Sequence, residues 1–283
     1  MEGHFFLLFL GNLNRITMKN KTLSVINIFL YLGMIIVNAL ANALPINGMT
    51  TGELSDNYTN LFVPAGITFS IWGIIYLLLL VFVVYQVAAV YGKKNRFALT
   101  IRQNQVFALT CILNAAWIIT WHYQLILWSV VVMIALLLCL ISLYNSLYNV
   151  NIQSGMGKFA FRVSIGVYLG WISVATIANV TALLVFRNWD GFGLSENIWT
   201  IAVMVVGFIL AVLVTLRNRD IFYPLVIIWA YYGIIIKRTA DMVAHKDIII
   251  TAWIVIVLTA LLIVYTLISS CATGKSKSLL CRG

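Results

Sequence analysis

The chain has 283 residues, of which 63% are hydrophobic and only 9% charged, with a mean hydropathy of +1.01. Soluble domains run near half apolar and a quarter charged, so this composition excludes a water-soluble globular protein and makes lipid the main solvent. The formal net charge of +10 comes from basic residues set singly or in twos and threes between apolar runs, a membrane topology signal rather than a phosphate-binding stripe, so no nucleic-acid partner is expected.

In chain order, Phe5–Leu10 is the first apolar stretch, and it is too short to cross a bilayer, which takes about 20 mainly apolar residues. Eight stretches of adequate length follow, at about Thr22–Leu44, Ile67–Tyr91, Asn104–His122, Leu125–Tyr148, Ala160–Phe186, Ile198–Leu216, Ile221–Ile236 and Ile248–Ser269. They are continuous rather than alternating, and backbone groups in hydrocarbon must be satisfied within the segment, which predicts helices rather than a barrel. The first run follows Met18-Lys-Asn-Lys and ends at Ala41-Asn42-Ala43, imitating a secretory signal with its cleavage site. It is longer than a signal's apolar region and is read as a span. The seventh run is the weakest, being short and opening with Pro224, although proline is tolerated in a first helical turn.

Charges between the runs set an orientation. One side holds Arg15, Lys19, Lys21, Lys93, Lys94, Arg96, Arg102, Lys158, Arg162, Arg217, Arg219, Lys275, Lys277 and Arg282, which is fourteen; the other holds Arg187, Lys237, Arg238 and Lys246, which is four. The positive-inside rule makes the first side cytoplasmic, with both termini there and an even number of spans. A multi-pass protein of the plasma membrane is expected, with residues 1–21 as a cytoplasmic segment and 271–283 as a basic cytoplasmic tail.

Conventional reaction chemistry is absent from the pattern. None of the eight Asp and Glu residues falls inside a run, and His4, His122 and His245 lie at ends or in loops, whereas ion-coupled carriers need buried ionisable groups along their path. There is no nucleophile elbow, zinc-protease signature or phosphate loop. Cys111, Cys139, Cys271 and Cys281 lack paired spacing, so neither a disulfide frame nor a metal knuckle is implied. Cys111 and Cys139 read as small apolar helix residues, while Cys271 and Cys281 flank the basic tail, where S-acylation is chemically feasible. No catalytic residue, metal or required cofactor is expected.

What the runs do carry is aromatic and amide. Phe69, Trp72 and Tyr76 share one face of the second helix; Asn114, Trp117 and Trp121 repeat the spacing in the third; Tyr168, Trp171, Ala175 and Asn179 extend it in the fifth. One account is interfacial Trp and Tyr with amides gluing helices together, and that suits Trp121, Trp128, Trp189, Trp199 and Trp253 near outer ends. Trp171 is near mid-depth, and Asn114 and Asn179 need a partner or a ligand. The other account is an apolar concavity with a few polar groups, the usual form of a small-molecule site, whose aromatic walls favour a flat, π-rich or sterol-like ligand.

At these residues the chain resembles the TspO/MBR family of translocator proteins, also called tryptophan-rich sensory proteins. Pro64-Ala-Gly-Ile-Thr-Phe-Ser-Ile leads into Trp72-Gly-Ile-Ile-Tyr76, Asn114-Ala-Ala-Trp117 follows, and Tyr168, Trp171, Ala175 and Asn179 match the family's fifth-helix spacing. The resemblance covers about Thr22–Phe186. It implies a five-helix TspO-like bundle (22–186); the remaining apolar runs add three extra helices (187–270) without a counterpart in that bundle, giving an all-α integral membrane fold of about eight transmembrane helices. It also implies a tetrapyrrole-like or sterol-like ligand, with a porphyrin or haem as one form, homodimers, and a pocket lined by Trp72, Tyr76, Asn114, Trp117, Tyr168, Trp171 and Asn179. The family's Pro-Pro-x-Trp is here Pro64-Ala65-Gly66-Ile67 and its sterol-site Tyr is Val180, departures that remove an aromatic lid residue and the expectation of that sterol site. Two functions remain: a sensor or regulator binding a flat hydrophobic molecule, or a transporter of a neutral hydrophobic solute. Light- or oxygen-dependent porphyrin breakdown, implied by the resemblance alone, ranks below both.

Overall fold

A computed structural model describes residues 2–44, 46–92, 97–242 and 245–272, with side chains described from 18 to 270. The elements are α1 (Glu2–Ala43), α2 (Thr51–Asp56), α3 (Ile71–Tyr91), α4 (Ile101–His122), α5 (Ile126–Tyr148), α6 (Gly155–Lys158), α7 (Ser164–Phe186), α8 (Glu196–Asn218), α9 (Phe222–Ala240) and α10 (Lys246–Ala272). Among the described residues there is no strand. The Lys93–Arg96 cluster and the tail with Lys275, Lys277, Cys281 and Arg282 lie outside the described residues.

Local chemistry sets the helix ends. Thr100 and Gln103 form a reciprocal capping box at the start of α4, and Thr50 with Glu53 does the same for α2, each satisfying orphan N–H donors of a first turn. α8 stops where Arg219 turns left-handed (φ 53°). The next residue, Asp220, accepts hydrogen bonds from the backbone N–H of Phe222 (2.8 Å) and Tyr223 (3.4 Å) and so caps α9. Phe159–Val163 forms a π-helical turn feeding α7, which brings Arg162 onto the carbonyls of Leu147 and Val150.

Seven segments are long and apolar enough to cross a membrane: Met18–Ala43, Gly66–Tyr91, Ile101–His122, Ile126–Tyr148, Gly155–Phe186, Glu196–Asn218 and Lys246–Ser270. The chain is a multi-pass all-α membrane protein. α9 is not among the seven, yet its two ends sit at opposite ends of the bundle. Asp220, just before it, accepts from the Tyr144 hydroxyl near the end of α5 (2.7 Å), whereas Lys237 pairs with Asp56 of α2. It crosses inside the protein: Tyr223, Ile227, Ala230, Tyr231 and Ile234 are all 2% exposed or less. A helix sheltered by its neighbours need not be apolar all round, which is why its hydropathy signal is weak.

The last three helices are built into the bundle. Gly170 of α7 lies against the Tyr223 carbonyl and Val226, and Gly207 of α8 against the Tyr231 hydroxyl, the close approach that small residues allow between membrane helices. The first loop, which joins α1 to α3, leans on α9 as well. Ala65 N–H donates to the Gly233 carbonyl (3.0 Å), and Trp229 Nε1 donates to the Thr68 carbonyl (2.9 Å). Lys19, Lys21, Arg102, Lys158, Arg162, Arg217 and Arg219 belong to the bundle end opposite the first loop; Arg187, Lys237, Arg238 and Lys246 belong to the first-loop end.

Candidate functional site

The three stripes converge below the first loop. Trp72 of α3 is the hub: its ring stacks on Tyr76 (5.6 Å between centroids) and on Trp117 of α4 (5.9 Å), and meets Tyr168 (6.2 Å) and Trp171 (6.3 Å) of α7 edge-on. Phe69, from the turn that leads into α3, closes on Trp171 edge-on at 5.9 Å. Ile67 stands where the resemblance puts a lid aromatic, and Phe69 supplies an aromatic cover.

A small cavity of about 40 Å³ lies among these rings, lined on its bundle side by Trp72, Trp117, Trp121, Trp171, Ala175 and Asn179, and roofed by Thr51, Ser55, Pro64 and Phe69. Four of the seven residues expected at a site, Trp72, Trp117, Trp171 and Asn179, therefore share one cavity. Tyr76, Asn114 and Tyr168 are not on its wall. They form a supporting layer: Asn38 of α1 donates to Asn114 Oδ1 (2.8 Å), Asn114 Nδ2 donates to the Tyr168 hydroxyl (2.8 Å), and the Tyr76 carbonyl accepts from the Tyr31 hydroxyl (2.9 Å). The Asn114 amide is satisfied within the protein and ties α1, α4 and α7 together. Asn179 lines the cavity, and its Oδ1 accepts from the Ser129 hydroxyl (3.2 Å).

Of the nine buried side-chain polar atoms without a hydrogen-bond partner among the described residues, two belong to residues lining this cavity. The indole Nε1 atoms of Trp117 and Trp171 are buried without a hydrogen bond, in residues only 4% and 2% exposed. A buried donor without an acceptor costs about 1–3 kcal/mol.

Trp121 is corrected from the interfacial position expected of it. It is 5% exposed, stacks on Trp117 (6.3 Å) and lines the cavity; its place one turn beyond Trp117 was the signal. Trp128 and Trp253 do face outward, at 60% and 48% exposure. Sequence reasoning missed Asn38, Phe69's role as cover, and His122, whose Nε2 lies 3.1 Å from the Thr51 hydroxyl and ties α2, which carries Thr51 and Ser55 of the roof, to the end of α4.

A family model described as TSPO-like protein matches residues 24–265. The chain belongs to the TSPO-like protein family. No curated protein and no solved structure matches it. The matched stretch of this TSPO-like protein runs beyond Phe186 to take in α8, α9 and most of α10, as well as every residue of the aromatic cavity. The helices counted from sequence as an extension thus fall within the family match. Chemically, the cavity lining holds no ionisable side chain; it carries aromatic faces, one amide and two indoles whose N–H groups lack a partner.

Proposed function

We propose that this TSPO-like protein binds a flat, hydrophobic, acceptor-bearing small molecule among Trp72, Trp117, Trp171 and Asn179, and acts as a sensor or regulator. The observation that carries the reading is the pair of buried, unpartnered indole N–H groups on one aromatic cavity. Stacking between the rings supplies the apolar part of the affinity, and each N–H supplies direction. A tetrapyrrole-like ligand, porphyrin or haem, belongs to this class by its flatness and its carboxylate and ring acceptors. A cavity of about 40 Å³ is near the volume of a single water, so such a guest requires the roof of Pro64 and Phe69 to lift. Ligand entry is therefore coupled to movement of the first loop, which suits a sensor because occupancy changes the loop's contacts with α9.

A porphyrin titrated into purified protein, followed by tryptophan fluorescence, tests the reading. Saturable quenching that is lost in Trp171→Ala is expected; no quenching, or equal quenching in the variant, contradicts it. Saturable uptake of a neutral hydrophobic solute into liposomes without an ion gradient would assign transport instead. The same reading takes the end rich in Lys and Arg as cytoplasmic, with both termini there, in a plasma membrane.

A further inference from the structure

A second cavity, of about 580 Å³, lies between the first-loop halves of α7 and α8 and shares no lining residue with the aromatic one. Its size falls within the roughly 300–1,000 Å³ of small-molecule sites. Phe62, Ile177, Val180, Leu184 and Val203 give it apolar walls. At its mouth Trp189 and Trp199 pack ring to ring at 5.0 Å, and Trp199 is held by donating Nε1–H to the Gly191 carbonyl (2.9 Å).

Every charged side chain that lines this cavity is acidic: Asp190 and Glu196. Each uses one oxygen locally, Asp190 Oδ1 accepting from Phe192 N–H (3.1 Å) and Glu196 Oε1 from Leu61 N–H (2.7 Å). Neither has an ion-pair partner among the described residues. Glu196 also lines an adjoining chamber with Lys237 and Arg238, but those two cations are paired with Asp56 and Asp241. A first-turn acid such as Glu196 also suits the dipole of α8, but the dipole does not account for an apolar chamber with two indoles and a second carboxylate at its mouth. Apolar walls, indole faces and two carboxylates outside any ion pair together select positive charge carried on an apolar body.

We propose that the cleft between α7 and α8 is a binding site for a lipophilic organic cation, separate from the aromatic cavity. The body lies against Ile177, Val180 and Leu184, and the charge lies between the Trp189–Trp199 pair and the carboxylates of Asp190 and Glu196.

The test uses the full chain in nanodiscs of zwitterionic lipid and two near-isosteric probes of opposite charge, tetraphenylphosphonium and tetraphenylborate, in equilibrium dialysis against empty nanodiscs. Saturable binding of tetraphenylphosphonium near one per chain is expected, with tetraphenylborate at least about tenfold weaker. The double variant Asp190→Asn/Glu196→Gln keeps the acceptor oxygens for the Phe192 and Leu61 N–H groups and is expected to bind the cation about tenfold more weakly. Val180→Trp, which fills the chamber, is expected to abolish saturable binding while porphyrin quenching at the other cavity persists. Equal binding of both probes, binding no greater than to empty nanodiscs, or unchanged affinity in Val180→Trp overturns the proposal. The probe comparison in the native protein decides the matter even if a variant fails to fold.

Discussion

Trp171 is held in place by its rings and left free at its nitrogen. Trp171→Phe keeps a ring against Phe69 and Trp72 but removes the unpartnered donor. The fold is expected to survive, while ligand affinity drops about three- to tenfold, the worth of one hydrogen bond; a titration beside the native protein reads it directly. Asn114 behaves differently because its amide is already bonded on both sides. Asn114→Leu leaves the Asn38 amide with only the Met34 carbonyl as acceptor and the Tyr168 hydroxyl without its donor, and should cost about 1 kcal/mol of stability in thermal unfolding in detergent. A wild-type melting curve in that variant would remove Asn114 from the supporting layer. The spacing of Asn114, Trp117, Tyr168 and Trp171 was legible in sequence because helical period alone puts them on shared faces. Asn38 was not legible, since its partner lies on another helix 76 residues away and no local pattern records that.

Asp220 gives a pH signature. Burial pushes its carboxyl above the ordinary aspartate range, although the Tyr144 hydroxyl, the Phe222 N–H, Tyr148 and the Tyr223 N–H pull the other way. A folded-state value above the unfolded one means the folded protein holds the proton more tightly. Stability therefore falls as pH rises from about 3.9, the unfolded value, through the raised folded value, and is flat above it. Asp220→Asn is expected to flatten that part of the melting-temperature profile; an unchanged slope would place its origin elsewhere.

Among elements, α9 decides how the molecule holds together. Its apolar run is short and carries Pro224, and it stays out of the segments apolar enough to cross a membrane on their own. It nevertheless traverses the bundle because α7, α8 and α10 cover it and the first loop docks on it. Hydropathy reads exposure to lipid, so a helix shielded by protein leaves a faint trace in sequence. Gly233 is the tightest point of that docking: a Cβ there would collide with the Thr68 side chain. Gly233→Val should destabilise the protein by about 1–3 kcal/mol through overpacking and loosen the roof of the aromatic cavity. Gly73→Val, at a position with open space around it, should be close to neutral. Equal melting temperatures for the two variants would contradict the docking of the first loop on α9.

At the scale of the whole molecule, the described chain enters and leaves at the same end, with α1 rising to the first loop and α10 returning from it. Composition and run length were enough to read this all-α membrane architecture, because lipid permits few alternatives. They could not reveal that α9 braces the loop roofing the site, since that follows from the contacts of Ala65 with Gly233 and of Trp229 with Thr68. The consequence is a protein with two dissimilar chambers near one membrane face: an aromatic cavity roofed by the first loop, and an acidic-mouthed cleft between α7 and α8.

The central claim, that the aromatic cavity takes a flat acceptor-bearing molecule, is tested most directly by native mass spectrometry of the protein purified gently from its own membrane. The account predicts one planar, acceptor-bearing hydrophobic molecule per chain, lost when Trp117 and Trp171 are both replaced by Phe. A protein carrying only bilayer lipid, or one retaining the same molecule in the double variant, would contradict it.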